Sequence, residues 1–241
     1  MCVIHFSLDD VKGIFKYLIS NRPRSIFETR TLNFLDRMHE IYGISVDMYC
    51  TYQHLGYSLN DVPDIYRNQF EENKWLRFGY HCLDETIDIN ENELVFIKSY
   101  SQFQKILFSV IGQNKIINSL RLHRFAGNKD ICMYLKQSGV NCLLTADDGR
   151  DSYYLNKFEN AILADSYQYY DKETDISFVR SCTRLENFKR EDFSDLEKEV
   201  YLYLDKKCDI IPVFSHEYLL DRVEVRNRFE RCCQLSLEIN G

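Results

Sequence analysis

The chain has 241 residues, 45% of them hydrophobic, enough for one large α/β barrel or two small domains and for a sizeable core. Three prolines and nine glycines argue against long linkers or disordered tracts. A formal net charge of −7 argues against nucleic acid or an anionic membrane as partner, since both need clustered Lys and Arg; the densest basic patches are Asn21-Arg22-Pro23-Arg24 and the run from Arg121 to Arg124.

An apolar strand spans residues 2–10 and ends in Asp9 and Asp10. Val11, Ile14, Phe15, Leu18 and Ile19 then recur at the spacing of an amphipathic helix. A second helix is expected over residues 31–42, with Gly43 as its left-handed C′ residue. Strands follow at 44–50 and 77–80, the latter ending in His81. The segment 93–111 predicts a helix in its second half, closed by Gly112. A short strand at 119–122 leads to His123, a helix at 129–138 is closed by Gly139, and a strand at 140–145 delivers Asp147. A strand at 176–182 runs into Thr183-Arg184-Leu185-Glu186. Phe193, Leu196, Val200 and Leu204 mark a helix, residues 210–214 a strand delivering His216, and 221–234 a last helix.

Seven strands alternating mostly with helices imply a parallel sheet with helical crossovers, closed or nearly closed into a barrel. No break in composition divides the chain, so residues 1–241 are expected to form a single barrel domain. Functional groups of parallel barrels sit on loops at the C-terminal strand ends, where Asp9, Asp10, His81, His123, Asp147, Asp148 and His216 fall. Nine cysteines, an odd count with no CxxC pair, argue against a disulfide framework or a Cys-ligated zinc finger and point to a reducing, cytoplasmic setting. The N-terminal stretch lacks a secretory leader pattern, and no apolar run approaches a membrane span.

Adjacent carboxylates repel, so Asp9 and Asp10 need a cation, a basic side chain or a proton. One can bind a divalent metal while the other serves as general base; alternatively, one caps the helix starting near Val11. If the loop after His81 turns helically, Glu85 or Asp84 shares its face and offers a carboxylate beside the imidazole for one ion. The segment from Arg121 to Asn128 can supply an arginine to hold a catalytic carboxylate, or be a solvated basic turn. Asp147-Asp148-Gly149 is good turn chemistry as well as a pair of acids. Arg184 and Glu186 can contact substrate hydroxyls or simply pair with each other. His216 is placed to donate a proton to a leaving group, a role imidazole serves in enzymes, against the plainer reading of a core histidine. His5, His39 and His54 have no comparable setting. Tyr80 is one of several tyrosines near strand ends that can stack on a sugar.

In this order the segments resemble the polysaccharide deacetylases, the NodB-type carbohydrate esterases. The family's Thr-Phe-Asp-Asp-Gly motif is similar to Ser7-Leu8-Asp9-Asp10-Val11. The resemblance implies a distorted (β/α)7 barrel, with Asp9 as base and Asp10 as metal ligand. The second motif has two metal-binding histidines four apart; His81 matches the first, and Glu85 occupies the second position. The arginine that steadies the base would be Arg121 or Arg124, with Arg124 taken as the catalytic candidate. The aspartate of the fourth motif would be Asp147 and the general acid His216. His123, Arg184, Glu186 and Tyr80 are left as substrate-binding candidates. The implied cofactor is a divalent metal ion, zinc first among them, and the implied substrate an acylated carbohydrate. Two other readings stay open: a two-carboxylate glycoside hydrolase using Asp9 with Asp147 or Glu186, and a non-catalytic carbohydrate-binding barrel that has lost the full metal site.

Overall fold

The computed structural model describes residues 2–87, 93–112, 117–147, 150–189 and 191–240. At its centre is β1 (Val3–Val11), whose side chains alternate between two environments. Ile4, Phe6 and Leu8 form one buried row, with Phe6 5.0 Å from the ring of Phe229 on α8 (Val223–Asn240). His5, Ser7 and Asp9 form the other row, which lines the barrel interior. Parallel neighbours flank β1 on both sides: β11 (Ile210–His216) and β2 (Val46–Thr51), followed by β5 (Leu76–Cys82).

A second sheet has the order β6-β7-β9-β8, built from β6 (Ser119–Leu120), β7 (Cys142–Thr145), β8 (Gln168–Asp171) and β9 (Ile176–Arg180). Past Ser181 and Cys182 the chain of β9 continues as β10 (Thr183–Arg184), which pairs in parallel with β11 of the first sheet. One stretch of chain thus belongs to both sheets. On the far side, Ile117 N–H donates to Phe78 O (3.1 Å), joining β5 to the approach of β6. Gly79 permits this approach, since a Cβ there would lie 2.8 Å from Leu120 Cδ2 and 2.9 Å from Ile117 Cγ1. Among the described residues, and counting β9 and β10 as one, seven parallel strands lie round a distorted α/β barrel, as the alternation of elements predicts.

Helices α1 (Gly13–Asn21), α2 (Arg30–Tyr42), α3 (Arg67–Glu72), α4 (Glu93–Ile111), α5 (Lys129–Gln137), α6 (Lys157–Ser166) and α7 (Ser194–Asp205), with α8, supply the rest. Thr29 caps α2 by accepting from Leu32 N–H, and Gly43 ends it at φ 67°. The helix expected in the second half of 93–111 fills the whole segment, because its buried face already begins at Phe96. The sequence gives little sign of α6 or β8. Leu163 is the only fully buried residue of α6, so its amphipathic pattern is weak. β8 is a mostly polar antiparallel edge strand. A hairpin of β3 (Gln53–His54) and β4 (Tyr57–Ser58) also lies outside the predicted elements. Among the described residues, no helix is long and apolar enough to cross a membrane.

Asp47 ties together four neighbouring strands inside the barrel. His5 Nε2 lies 2.8 Å from Oδ2, Ser119 Oγ donates to the same oxygen at 3.2 Å, and Arg77 Nε lies 2.6 Å from Oδ1. Burial pushes the Asp47 carboxyl up, but His5 and Arg77 outweigh it and leave the group below its usual value. A depressed carboxylate contributes stability that is complete above its unfolded pKa of about 3.9 and is lost as pH falls through the folded value. Asp47→Asn is therefore expected to cost roughly 1.5–3 kcal/mol at pH 7. In urea denaturation the gap to the wild type should narrow below about pH 4; a gap that stays constant to pH 3 would contradict this assignment.

Candidate metal and acid–base site

Adjacent residues in a regular strand face opposite sides. Asp9 and Asp10 escape this rule because β1 breaks register with β2 between Leu8 and Val11, and Asp10 takes φ 55°. A left-handed non-glycine residue costs roughly 1–2 kcal/mol, and such strain clusters at functional positions. Here it lets Asp9 meet Arg121 while Asp10 turns toward the imidazoles of His81, His123 and His216 at the C-terminal strand ends.

Neither aspartate caps α1. That task falls to Glu217, just past β11, whose carboxylate accepts from the N–H groups of Lys12 (2.8 Å), Gly13 (2.6 Å) and Ile14 (2.6 Å). Gly13 makes room for it, since a Cβ there would sit 2.8 Å from Glu217 Oε1. The carboxylate pair is thus free for other work.

Asp9 is 3% exposed and meets a fully buried guanidinium. Arg121 Nη1 donates to Asp9 Oδ1 (2.8 Å) and Ser7 Oγ (3.1 Å), and Nη2 donates to Ser181 Oγ (3.2 Å). The guanidinium lies 3.9 Å from the ring centre of Phe214. Of the two arginines considered, Arg121 is the one beside Asp9; Arg124 is exposed, in a left-handed turn (φ 56°) after His123.

Asp10 is surrounded by imidazoles. Its Oδ1 lies 3.3 Å from His81 Nε2 and 3.8 Å from His123 Nδ1, and its Oδ2 lies 3.9 Å from His216 Nε2. Burial raises the Asp10 carboxyl, yet His81, His216 and His123 together hold it well below the usual range. His81 Nδ1 is 2.6 Å from Arg121 O. A carbonyl only accepts, so Nδ1 carries the proton and a neutral His81 turns its Nε2 lone pair toward Asp10 and His123. Burial lowers His81, but the Asp10 and Asp9 carboxylates raise it above its ordinary value. His123 is pulled down to about 4 by burial and by His81, which leaves its ring neutral near pH 7.

The donor atoms of Asp10, His81 and His123 lie within 4.8 Å of one another, and Asp10 Oδ1 is buried without an aligned hydrogen bond from any described residue. One carboxylate oxygen and two imidazole nitrogens, with a fourth position left over, are a donor set that suits zinc and related ions.

Glu85 does not belong to that cluster. Its carboxylate pairs with Lys12 and accepts from Thr51 Oγ1 (3.4 Å). The second imidazole comes instead from His123, after the next strand. The signal for it was available, because His123 follows β6 much as His81 ends β5. Tyr80 points away from the cavity, as its alternation with His81 requires; it is buried under α4, bonded to Ser99 Oγ (2.9 Å) and packed edge-on against Phe96.

His216, aligned with Asp9 across the β1–β11 pair, is held by Glu186. Its Nδ1 lies 2.5 Å from Glu186 Oε1, which also accepts from Arg184 Nε (2.8 Å), while Ser215 Oγ donates to Oε2 (2.9 Å). Burial raises Glu186, but His216 and Arg184 bring it down to about 2, so it is ionised at neutral pH. Asp147 stands behind this group: Arg184 Nη1 is 3.8 Å from its Oδ2, which accepts from Asn187 Nδ2 (2.8 Å). Asp148 lies outside the described residues.

No family model matches the sequence, and no curated protein matches it at a significant level. Solved structures do match. A protein from Mycobacterium smegmatis assigned as a polysaccharide deacetylase superposes with a TM-score of 0.61 at 14% identity, over 96% of this chain and 84% of that one. The catalytic domain of a peptidoglycan N-acetylglucosamine deacetylase from Eubacterium rectale gives 0.50 at 15% identity, over 99% and 84%. A 4-alpha-glucanotransferase from Thermococcus litoralis gives 0.58 at 10% identity over 97% of this chain but 38% of its own length. At these identities the shared property is the fold. It is the barrel of polysaccharide deacetylases, the family the motifs resemble.

Arg121→Met would leave the Asp9 carboxylate buried without its cation. We expect a loss of about 3–5 kcal/mol in urea unfolding, with much of it recovered in the Asp9→Asn/Arg121→Met double variant. Additive losses from the two changes would mean that the pair is not coupled.

Proposed function

We propose that the protein is a metal-dependent hydrolase that removes acyl groups, acetyl above all, from a carbohydrate, and that residues 1–241 act as one barrel domain. The observation that carries this reading is the meeting of Asp10, His81 and His123 within 4.8 Å beside Asp9 and His216. Asp10, His81 and His123 would hold the ion, with zinc the first candidate. When bound, such an ion supplies Lewis-acid polarisation of an acyl carbonyl and lowers the pKa of water.

The chain's own groups supply the proton transfers. Asp9, fixed through Oδ1 by Arg121 and Ser7, takes the proton of the attacking water. His216, with Nδ1 turned to Glu186, keeps Nε2 on the cavity side to protonate the departing amine or hydroxyl. Glu186 and Arg184 act here by positioning His216, and Asp147 by positioning Arg184.

The same geometry weighs against a two-carboxylate glycosidase. That chemistry needs a protonated carboxyl as acid, whereas Glu186 is ionised beside His216 and Arg184 and Asp9 is paired with a guanidinium. A purely binding barrel gives no reason to hold Asp10 in a left-handed conformation among three imidazoles.

Protein purified without chelator is expected to carry about one divalent ion per chain by elemental analysis. Asp10→Ala and His123→Ala should lose it, and Glu85→Ala should keep it. Deacetylation of acetylated sugars should require the ion and fail in Asp9→Asn. Metal-free wild-type protein that still deacetylates, or ion content indifferent to Asp10 and His123, would overturn the proposal.

A further inference from the structure

Two histidines four apart in one motif are placed by one loop. His81 and His123 come from different strand ends, so whatever sets the distance between them acts across strands. β6 is two residues long, and its pairing with β7 stops at Leu120 and Leu143. Continued by two residues, a parallel ladder would join Leu122 N–H directly to Leu144 C=O. The hydroxyl of Tyr153 stands between these two groups instead. It accepts from Leu122 N–H (3.4 Å) and donates to Leu144 O (2.9 Å). Both backbone groups are satisfied, with β6 held off β7 by the width of one hydroxyl.

Arg121, one residue earlier, turns its carbonyl to the other side and accepts from His81 Nδ1 (2.6 Å). The end of β6 is thus spaced from β7 and tied to β5. His123 follows immediately, with Nδ1 3.4 Å from His81 Nε2 and 3.8 Å from Asp10 Oδ1.

The surroundings fix the tyrosine in place. Tyr153 takes φ 55°, and its N–H donates to Phe125 O (2.7 Å) in the turn that follows His123. That turn carries two further left-handed residues, Arg124 at φ 56° and Phe125 at φ 55°. Left-handed residues other than glycine are strained, and such strain gathers where a side chain must be held. Gly127 leaves the ring its room, since a Cβ there would stand 3.1 Å from Tyr153 Cδ1. The ring also packs against Phe178 on β9, centres 5.7 Å apart. Burial raises the phenol well above its usual value, so the hydroxyl keeps the proton it donates to Leu144.

Resting on the reading that Asp10, His81 and His123 hold a metal ion, we infer that Tyr153 is a positioning residue for that site. Its hydroxyl is a spacer between β6 and β7 that brings His123 within reach of the ion held by Asp10 and His81.

Tyr153→Phe tests this, because it keeps the ring and removes the spacer. Crystal structures of metal-free wild type and variant should show Leu122 N–H bonded directly to Leu144 O in the variant and His123 Nδ1 withdrawn from His81 Nε2. Zinc affinity, measured by competition with a chelating dye, should fall about tenfold. Tyr203→Phe is the control. The Tyr203 hydroxyl makes the same kind of bridge elsewhere, accepting from Cys182 N–H (2.8 Å) and donating to Arg180 O (2.6 Å). Its loss should lower resistance to urea and leave zinc affinity unchanged. An unmoved His123 or unchanged zinc affinity in Tyr153→Phe overturns the inference, as does an equal loss of zinc affinity in Tyr203→Phe. If Tyr153→Phe does not fold, Gly127→Ala crowds the ring while keeping the hydroxyl, and zinc bound as tightly as by the wild type then overturns it. A wild type that binds no zinc removes the metal reading alone, and the position of His123 in the paired structures still decides the role of Tyr153.

Discussion

A guanidinium buried at the centre of the barrel constrains much of the site. Arg121 has no exposure to water, and an isolated charge there would be prohibitively costly. The fold answers with an anion, two hydroxyls and an aromatic face: Asp9, Ser7, Ser181 and Phe214. These come from β1, from the link between β9 and β10, and from β11. The same arginine's carbonyl accepts from His81, which fixes the proton on Nδ1. One residue thereby anchors the candidate base through its side chain and orients an imidazole of the Asp10 cluster through its backbone.

The conformation of β1 follows from that pairing. Asp9 must face inward to reach Arg121, and by alternation Asp10 would then face the outer helices, where an unpaired carboxylate could not remain. The left-handed turn at Asp10 removes the conflict. Glu217 removes another by capping α1 from the end of the neighbouring strand, so that helix formation makes no claim on either aspartate. The acids and imidazoles are arranged by interactions that reach between strands far apart in the chain.

That explains which parts were legible in the sequence. Periodicity and residue chemistry at strand ends bring out the seven parallel strands and place Asp9, Asp10, His81 and His216 at one rim, because each signal is local. Partner choice is not local. The sequence sets Glu85 beside His81 and leaves His123 to substrate binding; the ion pair to Lys12 draws Glu85 away, and the position of β6 beside β5 brings His123 in. Arg121 and Arg124 are three apart, and only the strand direction decides which enters the barrel. Tyr80 looked available at a strand end, yet its neighbour His81 faces inward, which sends Tyr80 outward under α4.

Gly79 lets β5 and the approach to β6 come close, and among the described residues a backbone bond from Ile117 to Phe78 crosses between them. His81 and His123 stand on opposite banks of this join, 3.4 Å apart at their nearest nitrogens. Anything both rings grip at once would act as a rivet there, tying occupancy of the site to the mechanical integrity of the wall.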